Sequence, residues 1–304
     1  MSNLWNIRRA TKLVSIAFTS FVLVCFLSQR AFADGLPTPW GLGLQIPGSP
    51  LEARINDFHN VLLWIITIVT IFVLVLLLYV MVRYNKWTNP KPTTTTHNVV
   101  LEIVWTLIPC LILLGIAFIS FPLLYYGDRI PTPDLTLKVT GHQWYWSYEY
   151  PDQGNIGFDS HAIWDSSDVT QEQADKLVQE NQAGWLIKDH KPLRMLEVDN
   201  RVVLPVGKVV RVQITSGDVE HSWFEPSLGV NRMAVPGRLN EVWLKLDHEG
   251  IYYGQCSMIC GNGHGYMPIV IEGVSPEQFA VWAKSKKTTV GNNLSIHLPQ
   301  YALQ

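Results

Sequence analysis

The hydrophobic positions form two kinds of pattern, long uninterrupted apolar runs in the first half and short alternating segments in the second. The runs over residues 61–82 and 103–126 contain no charged residue and are long enough to be transmembrane helices. Pro109 and Pro122 lie inside the second run, and membrane helices tolerate such prolines better than soluble helices do. The pattern therefore predicts a two-helix transmembrane hairpin.

Short alternating segments follow from Leu135 onward, separated by turns that contain Pro and Gly. A dense aromatic stretch, residues 144–150, lies among them. Short strands with such turns are typical of an all-β sandwich or barrel. The predicted strand segments are residues 135–140, 194–198, 202–204, 209–214, 241–246, 250–253 and 267–271.

Two segments do not fit the strand pattern. Residues 152–192 interrupt it and are interpreted as an insertion with a polar helix near 170–181. Near the end of the chain, Ser275 is followed three residues later by Gln278, which matches a helix-capping box. This motif predicts a short C-terminal helix, after which residues 287–304 form a polar tail.

The first residues, 1–33, have the form of a cleaved export signal. Basic residues near the start precede an apolar segment over 13–27, and a small-x-small cleavage site follows at 31–33. An uncleaved anchor is the alternative interpretation. Cleavage would remove four basic residues and no acidic one, so the net charge would fall from −2 to −6. An acidic exported protein steers basic partners, whereas the lack of any basic block argues against nucleic-acid binding.

Basic residues between the two apolar runs indicate the orientation of the hairpin. Arg83, Lys86 and Lys91 lie there, and such residues are enriched in cytoplasmic loops. Combined with the export signal, they predict that residues 34–126 form a periplasmic N-terminal segment and a hairpin in a bacterial inner membrane. Residues 127–286 then form a periplasmic domain.

A single carboxylate, Glu102, lies at the cytoplasmic end of the second apolar run. A negative charge in the first turn of a helix interacts favourably with the helix dipole. Ionisable groups at membrane depth also mark proton pathways. The position of Glu102 in the sequence does not decide between these two interpretations.

The segment most informative about function is the glycine-broken stretch 252–267. Its glycines predict a loop, and it contains Cys256, Cys260, His264 and Met267. Thiolate, imidazole and thioether are soft ligands that favour copper. A zinc site is a rival, although a thioether is a poor zinc ligand. A disulfide between the two cysteines is the other alternative in an oxidising compartment.

A further ligand is predicted in the segment 218–223, where His221 follows the strand predicted over 209–214. A turn after that strand would bring the imidazole to the end of the barrel. The set then holds two thiolates, two imidazoles and a thioether, which is more than one mononuclear copper centre needs. Two thiolates are able to bridge two copper ions instead.

Four motifs, in residues 141–150, 218–223, 235–240 and 252–269, resemble subunit II of haem-copper cytochrome c oxidases. The resemblance covers nearly the whole chain after the export signal, including the hairpin. It implies a cupredoxin-like Greek-key barrel with the dinuclear copper centre called CuA. The implied ligands are His221, Cys256, Cys260, His264, Met267 and the backbone carbonyl of Met258.

The same resemblance assigns functions outside the copper site. It implies that electrons from cytochrome c enter through Trp144 and that Glu149 and Asp218 help to dock that basic protein. It places Glu102 near the entrance of a proton pathway. The implied partners are subunits I and III, with haem only in the partner subunit, where oxygen reduction drives proton pumping.

Two residues depart from the family pattern. Met258 occupies a position where the family usually has a Glu that reaches a magnesium ion, and a thioether is a poor ligand for such a hard ion. The chain is therefore not expected to supply a magnesium side-chain ligand there. Met233 replaces a usual Asp at the subunit boundary, which changes the local charge pairing.

Alternative functions differ from the oxidase subunit in the residues that they require. A membrane-anchored copper carrier without a catalytic partner would need neither Trp144 nor Glu102. A quinol oxidase subunit II lacks the copper ligands. A structural periplasmic domain would contain a Cys256–Cys260 disulfide in place of a metal.

Overall fold

The computed structural model describes residues 40–91, 93–163 and 195–293. The predicted export signal over residues 1–33 lies outside the described residues. So do the polar helix predicted near 170–181 and the end of the predicted tail.

Two long helices, α1 (Pro50–Arg83) and α2 (Val99–Asp128), confirm the predicted hairpin, and both are long and apolar enough to cross a bilayer. They begin before the predicted runs because the charged residues within 50–60 and Glu102 ended the apolar runs but are helical, after the N-caps Ser49 and Asn98. Pro109 lies within the continuous helix α2, as expected for a membrane helix.

The strands confirm the predicted all-β class and form two five-stranded sheets, of order β3–β2–β1–β5–β8 and β4–β10–β9–β6–β7. Within them, β1 runs parallel to β5 and β4 runs parallel to β10. The strands are β1 (Leu135–His142), β2 (Tyr145–Tyr150), β3 (Ile156–Ser160), β4 (Val202–Pro205), β5 (Val210–Ser216), β6 (His221–Glu225), β7 (Val230–Ala234), β8 (Asn240–Leu244), β9 (Gly250–Cys256) and β10 (Pro268–Val274).

The strand predicted over 194–198 is wrong. Among its described residues, only Val198 makes a bridge, an isolated one to Ala162. The segment is apolar because it covers the outer face of the second sheet, where Val198 packs in one cluster with Tyr253 and Val270. A segment that packs against the face of a sheet thus has the same apolar sequence pattern as a strand within the sheet.

Four strands, β2, β3, β6 and β7, are absent from the predicted segments, although β2 falls in the aromatic stretch over 144–150. The predicted insertion starts too early, because β3 pairs antiparallel with β2. Strand β6 reads His-Ser-Trp-Phe-Glu, which has no apolar–polar alternation, yet four of its five residues are buried. Its pairing with β7 and β9 decides its structure.

The C-terminal helix α3 (Pro276–Asn293) begins with the predicted capping box. The backbone N–H of Gln278 donates to Ser275 Oγ at 3.3 Å, and that of Ser275 donates to Gln278 Oε1 at 3.0 Å. The helix ends later than predicted, so the first residues of the predicted tail over 287–304 are helical.

Aromatic side chains fill the space between the two sheets. Several hydrogen bonds join this β domain to the hairpin and the residues just before it. The backbone N–H of Gly48 donates to Ser227 O at 2.7 Å, and Trp243 Nε1 donates to Tyr126 O at 3.2 Å. The β domain therefore rests directly on the ends of the helices. Its fully buried aromatic residues include Trp146, Tyr148, Tyr150, Trp223 and Tyr252.

Candidate metal centre

Two parts of the second sheet bring the predicted ligands together. His221 begins β6, and the loop between β9 and β10 carries the other donors. Strand β6 pairs antiparallel with β9 so that Trp223 lies opposite Cys256. The imidazole therefore reaches the first thiol across neighbouring strands, 35 residues away in sequence.

The thiol of Cys256 lies at the centre of the first group of donors. Its Sγ atom is 3.9 Å from Cys260 Sγ and 4.0 Å from His221 Nδ1. The backbone oxygen of Met258 lies 3.2 Å from the same sulfur. The Met258 carbonyl, for which the resemblance implied a ligand role, therefore lies beside the Cys256 sulfur.

The thiol of Cys260 is the centre of the second group. Its Sγ atom lies 3.5 Å from His264 Nδ1 and 3.5 Å from Met267 Sδ. Trp146 helps to hold Met267, because its Nε1 donates to the Met267 carbonyl at 3.2 Å. Each sulfur thus has one imidazole nitrogen and one further soft or neutral donor beside it.

The site is shielded from solvent, and its thiols are free. Cys256 and Cys260 are 6% and 5% exposed, and both are unbonded to another cysteine. The structure therefore does not contain the alternative disulfide. His221, Cys256 and Cys260 offer ligand atoms that all lie within 4.8 Å of one another.

A carboxylate orients the imidazole of His221. Asp218 Oδ1 lies 2.8 Å from His221 Nε2, and since a carboxylate only accepts, the hydrogen belongs on Nε2. The Nδ1 lone pair is then free to face Cys256. Gly141 makes room for the ring, because a Cβ there would lie 2.9 Å from His221 Cδ2.

Asp218 also accepts backbone N–H donors, from Gln143 at 2.7 Å and from Val219 at 2.6 Å. Burial tends to raise the pKa of this carboxyl, but the hydrogen bond from His221 and the two backbone donors lower it below its ordinary value. The sequence suggested only a docking function for Asp218. Its contacts show a positioning function, which depends on a turn geometry that sequence does not display.

The indole of Trp144 lies on the metal loop. It is 37% exposed, and its Nε1 donates to the Cys260 carbonyl at 3.2 Å. Gln143 Nε2 donates to the same carbonyl at 2.9 Å. A Cβ on Gly263 would collide with the indole, so only glycine lets the ring approach this closely. Trp144 therefore connects the solvent to the backbone of Cys260, one of the two free thiols.

The chemistry of the two thiols fits a cationic metal centre. Burial raises the pKa of Cys256, but backbone hydrogen bonds, among them one involving Ser222, help to lower it below its ordinary value. Burial and the neighbouring Cys256 charge raise the pKa of Cys260 to about 12. Both thiols can be ionised at neutral pH when positive charge lies between them. The donors outnumber the four that a single tetrahedral zinc ion uses.

Two predicted residues lie away from this cluster. Glu149 is near the far end of β2 from Trp144, and its Oε2 lies 3.1 Å from Lys138 Nζ. Glu102 is in the first turn of α2, with Asn98 N–H donating to its Oε1 at 3.4 Å. That helix separates it from the β domain by about 40 Å, at 1.5 Å per residue. The structure thus gives Glu102 a capping contact.

Comparisons with known proteins agree with these features. The family described as "Cytochrome C oxidase subunit II, periplasmic domain" matches residues 135–274, and the corresponding transmembrane-domain family matches residues 37–123. A probable cytochrome c oxidase subunit 2 of Rickettsia felis is 46% identical over 275 residues, covering 90% of this chain and 81% of the relative.

A cytochrome c oxidase subunit 2 of Cereibacter sphaeroides is 41% identical, covering 83% of this chain and 82% of the relative. A solved periplasmic domain of subunit II of the Bradyrhizobium japonicum cytochrome oxidase is 43% identical. It covers 53% of this chain and 99% of that chain, with a TM-score of 0.43. By the sequence matches over both its parts, the chain belongs to the cytochrome c oxidase subunit II family.

Proposed function

We propose that this chain is the electron-accepting subunit of a proton-pumping cytochrome c oxidase. It would take electrons from cytochrome c and pass them towards the haem of subunit I, where oxygen is reduced. The observation that carries the proposal is the convergence of four soft or neutral donors on two free thiols 3.9 Å apart. Membership of the subunit II family supports it.

The metal would be a pair of copper ions bridged by the thiolates of Cys256 and Cys260. When bound, copper supplies reversible one-electron redox chemistry. The protein supplies a buried, preorganised ligand set, and Asp218 holds the His221 ring so that Nδ1 faces the site. The remaining ligands would be His264, Met267 and the Met258 carbonyl.

Trp144 is the proposed point at which electrons enter. It is the exposed aromatic residue that contacts the loop, and its Nε1 is hydrogen-bonded to the carbonyl of the ligand Cys260. This contact gives a short covalent and hydrogen-bonded path from the surface to a ligand. The ring packs closely against Gly263, where a Cβ would collide with it, so few other positions are open to it.

Docking of cytochrome c would involve Asp218 and Glu149, as in the family. Asp218 is 31% exposed in its side chain and is committed to three donors, so its charge is fixed near Trp144. Glu149 forms an ion pair with Lys138, which partly neutralises its charge, and salt screens what remains of its attraction for a basic partner. We therefore expect Asp218 to be the more important of the two.

The hairpin would place the β domain on the periplasmic face of a bacterial inner membrane, beside subunits I and III. Glu102 would then lie at the cytoplasmic end, where its carboxylate is available to a proton pathway of the complex. The side chain of Met258 would supply no magnesium ligand, because a thioether does not suit a hard cation.

Metal analysis of the full chain, purified in mild detergent, tests this proposal. About two copper ions per chain are expected from thiolate bridging. Cys256→Ser should abolish the dinuclear spectrum. Met258→Ala should keep most of it, since only the backbone carbonyl takes part. A wild-type chain that binds zinc or no metal under these conditions would refute the proposal.

Copurification separates the oxidase subunit from a copper carrier. An oxidase subunit extracted from its own membrane brings haem-bearing partners with it, whereas a carrier is purified alone. The contact between Trp144 and the metal loop favours the oxidase, because a carrier has no need of a fixed aromatic residue at its surface.

A further inference from the structure

An amide side chain on β7 joins the metal loop to strand β6. Asn231 lies on β7, which pairs antiparallel with β6. Its Oδ1 accepts hydrogen bonds from two hydroxyl groups, Ser222 Oγ at 2.8 Å and Ser257 Oγ at 3.1 Å. Ser222 directly follows His221 in the chain, and Ser257 directly follows Cys256. One oxygen atom therefore connects the neighbours of two candidate ligands.

A backbone hydrogen bond joins the same two serines. The N–H of Ser257 donates to the Ser222 carbonyl at 3.2 Å, so the pair is connected both directly and through Asn231. Ser222 is 2% exposed, and its strand lies between β7 and β9. Ser257, by contrast, is exposed and lies just after the end of β9. The buried serine therefore anchors the exposed one.

The anchored residue lies between two groups of the candidate site. Ser257 is flanked by Cys256 and Met258, and the Met258 oxygen is 3.2 Å from Cys256 Sγ. The separation of these two atoms depends on the backbone dihedral angles of Ser257 and Met258, since no other residue lies between them. Fixing Ser257 by its N–H and by its hydroxyl therefore restricts where the carbonyl points relative to the sulfur.

We infer that Asn231 is a positioning residue of the copper centre, which holds Ser257 so that the Met258 carbonyl and the Cys256 thiolate face the same metal ion. The inference rests on the proposed function and deepens it. Asn231 is not a ligand and acts through Ser257. Residues that hold ligands by hydrogen bonds have large effects on metal affinity although they do not touch the metal.

Copper affinity of the full chain in detergent, measured by competition with a chelator, tests this inference. Asn231→Ala removes the acceptor, and Ser257→Ala removes the hydroxyl group that the loop donates. Asn231→Asp keeps an acceptor oxygen in a side chain of the same size. Ser147→Ala is the matched control, because the Ser147 hydroxyl donates to Asp159 Oδ1 at 2.6 Å in the other sheet.

Asn231→Ala should raise the dissociation constant for copper about tenfold, the low end for outer contacts of metal ligands. It should also change the electron paramagnetic resonance spectrum of the oxidised centre, because the carbonyl is displaced. Adding Ser257→Ala should cause little further loss, since both changes break the same bond. Asn231→Asp should bind copper at least as tightly as the wild type, and Ser147→Ala should match the wild type in affinity and spectrum.

Wild-type affinity and spectrum in Asn231→Ala would overturn the inference. So would an Asn231→Asp variant as weak as Asn231→Ala, because the acceptor oxygen would then be irrelevant. Effects of Asn231→Ala and Ser257→Ala that multiply in the double variant would show that the two residues act independently, which also contradicts it. A wild-type chain that binds no copper refutes the proposed function instead.

Amide hydrogen exchange of the metal-free chain gives a measurement that does not depend on copper. Exchange at Ser257 reports the opening of its bond to the Ser222 carbonyl. Asn231→Ala should speed it roughly fivefold, the effect of one hydrogen bond, and Ser147→Ala should not. Unchanged exchange would overturn the inference whatever the chain binds. Circular dichroism checks folding, and should Asn231→Ala fail to fold, Ser257→Ala carries both measurements because it breaks the same bond from the loop side.

Discussion

The hairpin and the β domain use their apolar residues in opposite ways. In the described part of α1, Leu51 and Glu52 are buried, and α2 contains no buried residue. The large apolar side chains of both helices face outward. In the β domain, by contrast, the apolar side chains lie between two sheets and are almost fully buried. The β domain has its own core, whereas the hairpin depends on lipid and partner helices.

This difference explains where the chemistry is located. A ligand set needs donors held to within a fraction of an ångström, and a packed core provides such positions. The hairpin has few internal contacts that would hold a side chain in place. Its role is to fix the β domain at the membrane surface, through contacts such as Trp243 Nε1 to the Tyr126 carbonyl at 3.2 Å.

The strongest test of this difference between the β domain and the hairpin is to replace one tryptophan in each region. Trp146 is 0% exposed in the β core, whereas Trp105 on α2 is 59% exposed. Trp146→Ala should lower the free energy of unfolding of the β domain by about 3–5 kcal/mol, because it leaves a cavity. Trp105→Ala should change it by about 0.5 kcal/mol or less. Denaturant unfolding in detergent, followed by circular dichroism, measures both. Equal effects would contradict the comparison.

A buried carboxyl, Glu225, offers the next test. It is 0% exposed, and neither of its oxygens has a hydrogen-bond partner among the described residues. It lies against β9, since a Cβ on Gly254 would be 2.7 Å from Glu225 Cδ. Burial raises its pKa well above the ordinary value. The folded β domain therefore holds a proton there that the unfolded chain releases.

Because the folded state binds more protons, this residue makes stability fall as pH rises above the ordinary carboxyl range. The slope is about 1.4 kcal/mol per pH unit until the folded pKa is reached. Glu225→Leu should remove this slope and stabilise the β domain by about 1–3 kcal/mol at pH 7. Unfolding curves between pH 5 and pH 8 check it. A pH dependence that is unchanged in the variant would refute a buried, unpartnered carboxyl.

A third prediction concerns the polar contact that orients a ligand. Asp218→Asn should weaken copper binding by about 10–100-fold, since outer contacts of metal ligands have effects of this size. Glu102→Gln is the matched control in the hairpin, because it also exchanges a carboxylate for an amide. Copper affinity is measured by competition with a chelator. If both variants bind copper equally well, Asp218 does not position His221.

The sequence predicted the donors of the metal loop because their identities are local. Cys256, Cys260, His264 and Met267 share one glycine-broken stretch, so their chemistry is visible without a fold. The place of His221 in the site does not follow from local sequence, because only the pairing of β6 with β9 brings its imidazole close to Cys256. Its position at the barrel end was therefore inferred from the preceding strand and the family resemblance.

Errors arose where tertiary contacts override the local pattern. Strand β6 lacks alternation, because both of its faces are largely buried. The segment near Val198 has apolar residues that cover a sheet without joining it. The positioning function of Asp218 depends on a turn that aims its carboxylate at three donors, and no spacing in the sequence indicates this.

The smallest expected effect comes from two helix N-caps, one in each region. Ser275 caps α3, which packs on the β core through Phe279 and Trp282. Ser49 caps α1 by accepting the Glu52 N–H at 3.0 Å, and it also donates to the Leu228 carbonyl at 2.8 Å. Each Ser→Ala change removes a capping bond that contributes about 1 kcal/mol.

Ser275→Ala should therefore lower the free energy of unfolding of the β domain by about 1 kcal/mol. Ser49→Ala should leave that value nearly unchanged, because α1 does not belong to the same core. It should instead speed amide exchange at Glu52 and in the Leu228 turn, where the β domain meets the helix. Hydrogen exchange measures this local opening. If Ser49→Ala lowers the stability of the β domain as much as Ser275→Ala does, hairpin and β domain unfold as one cooperative unit.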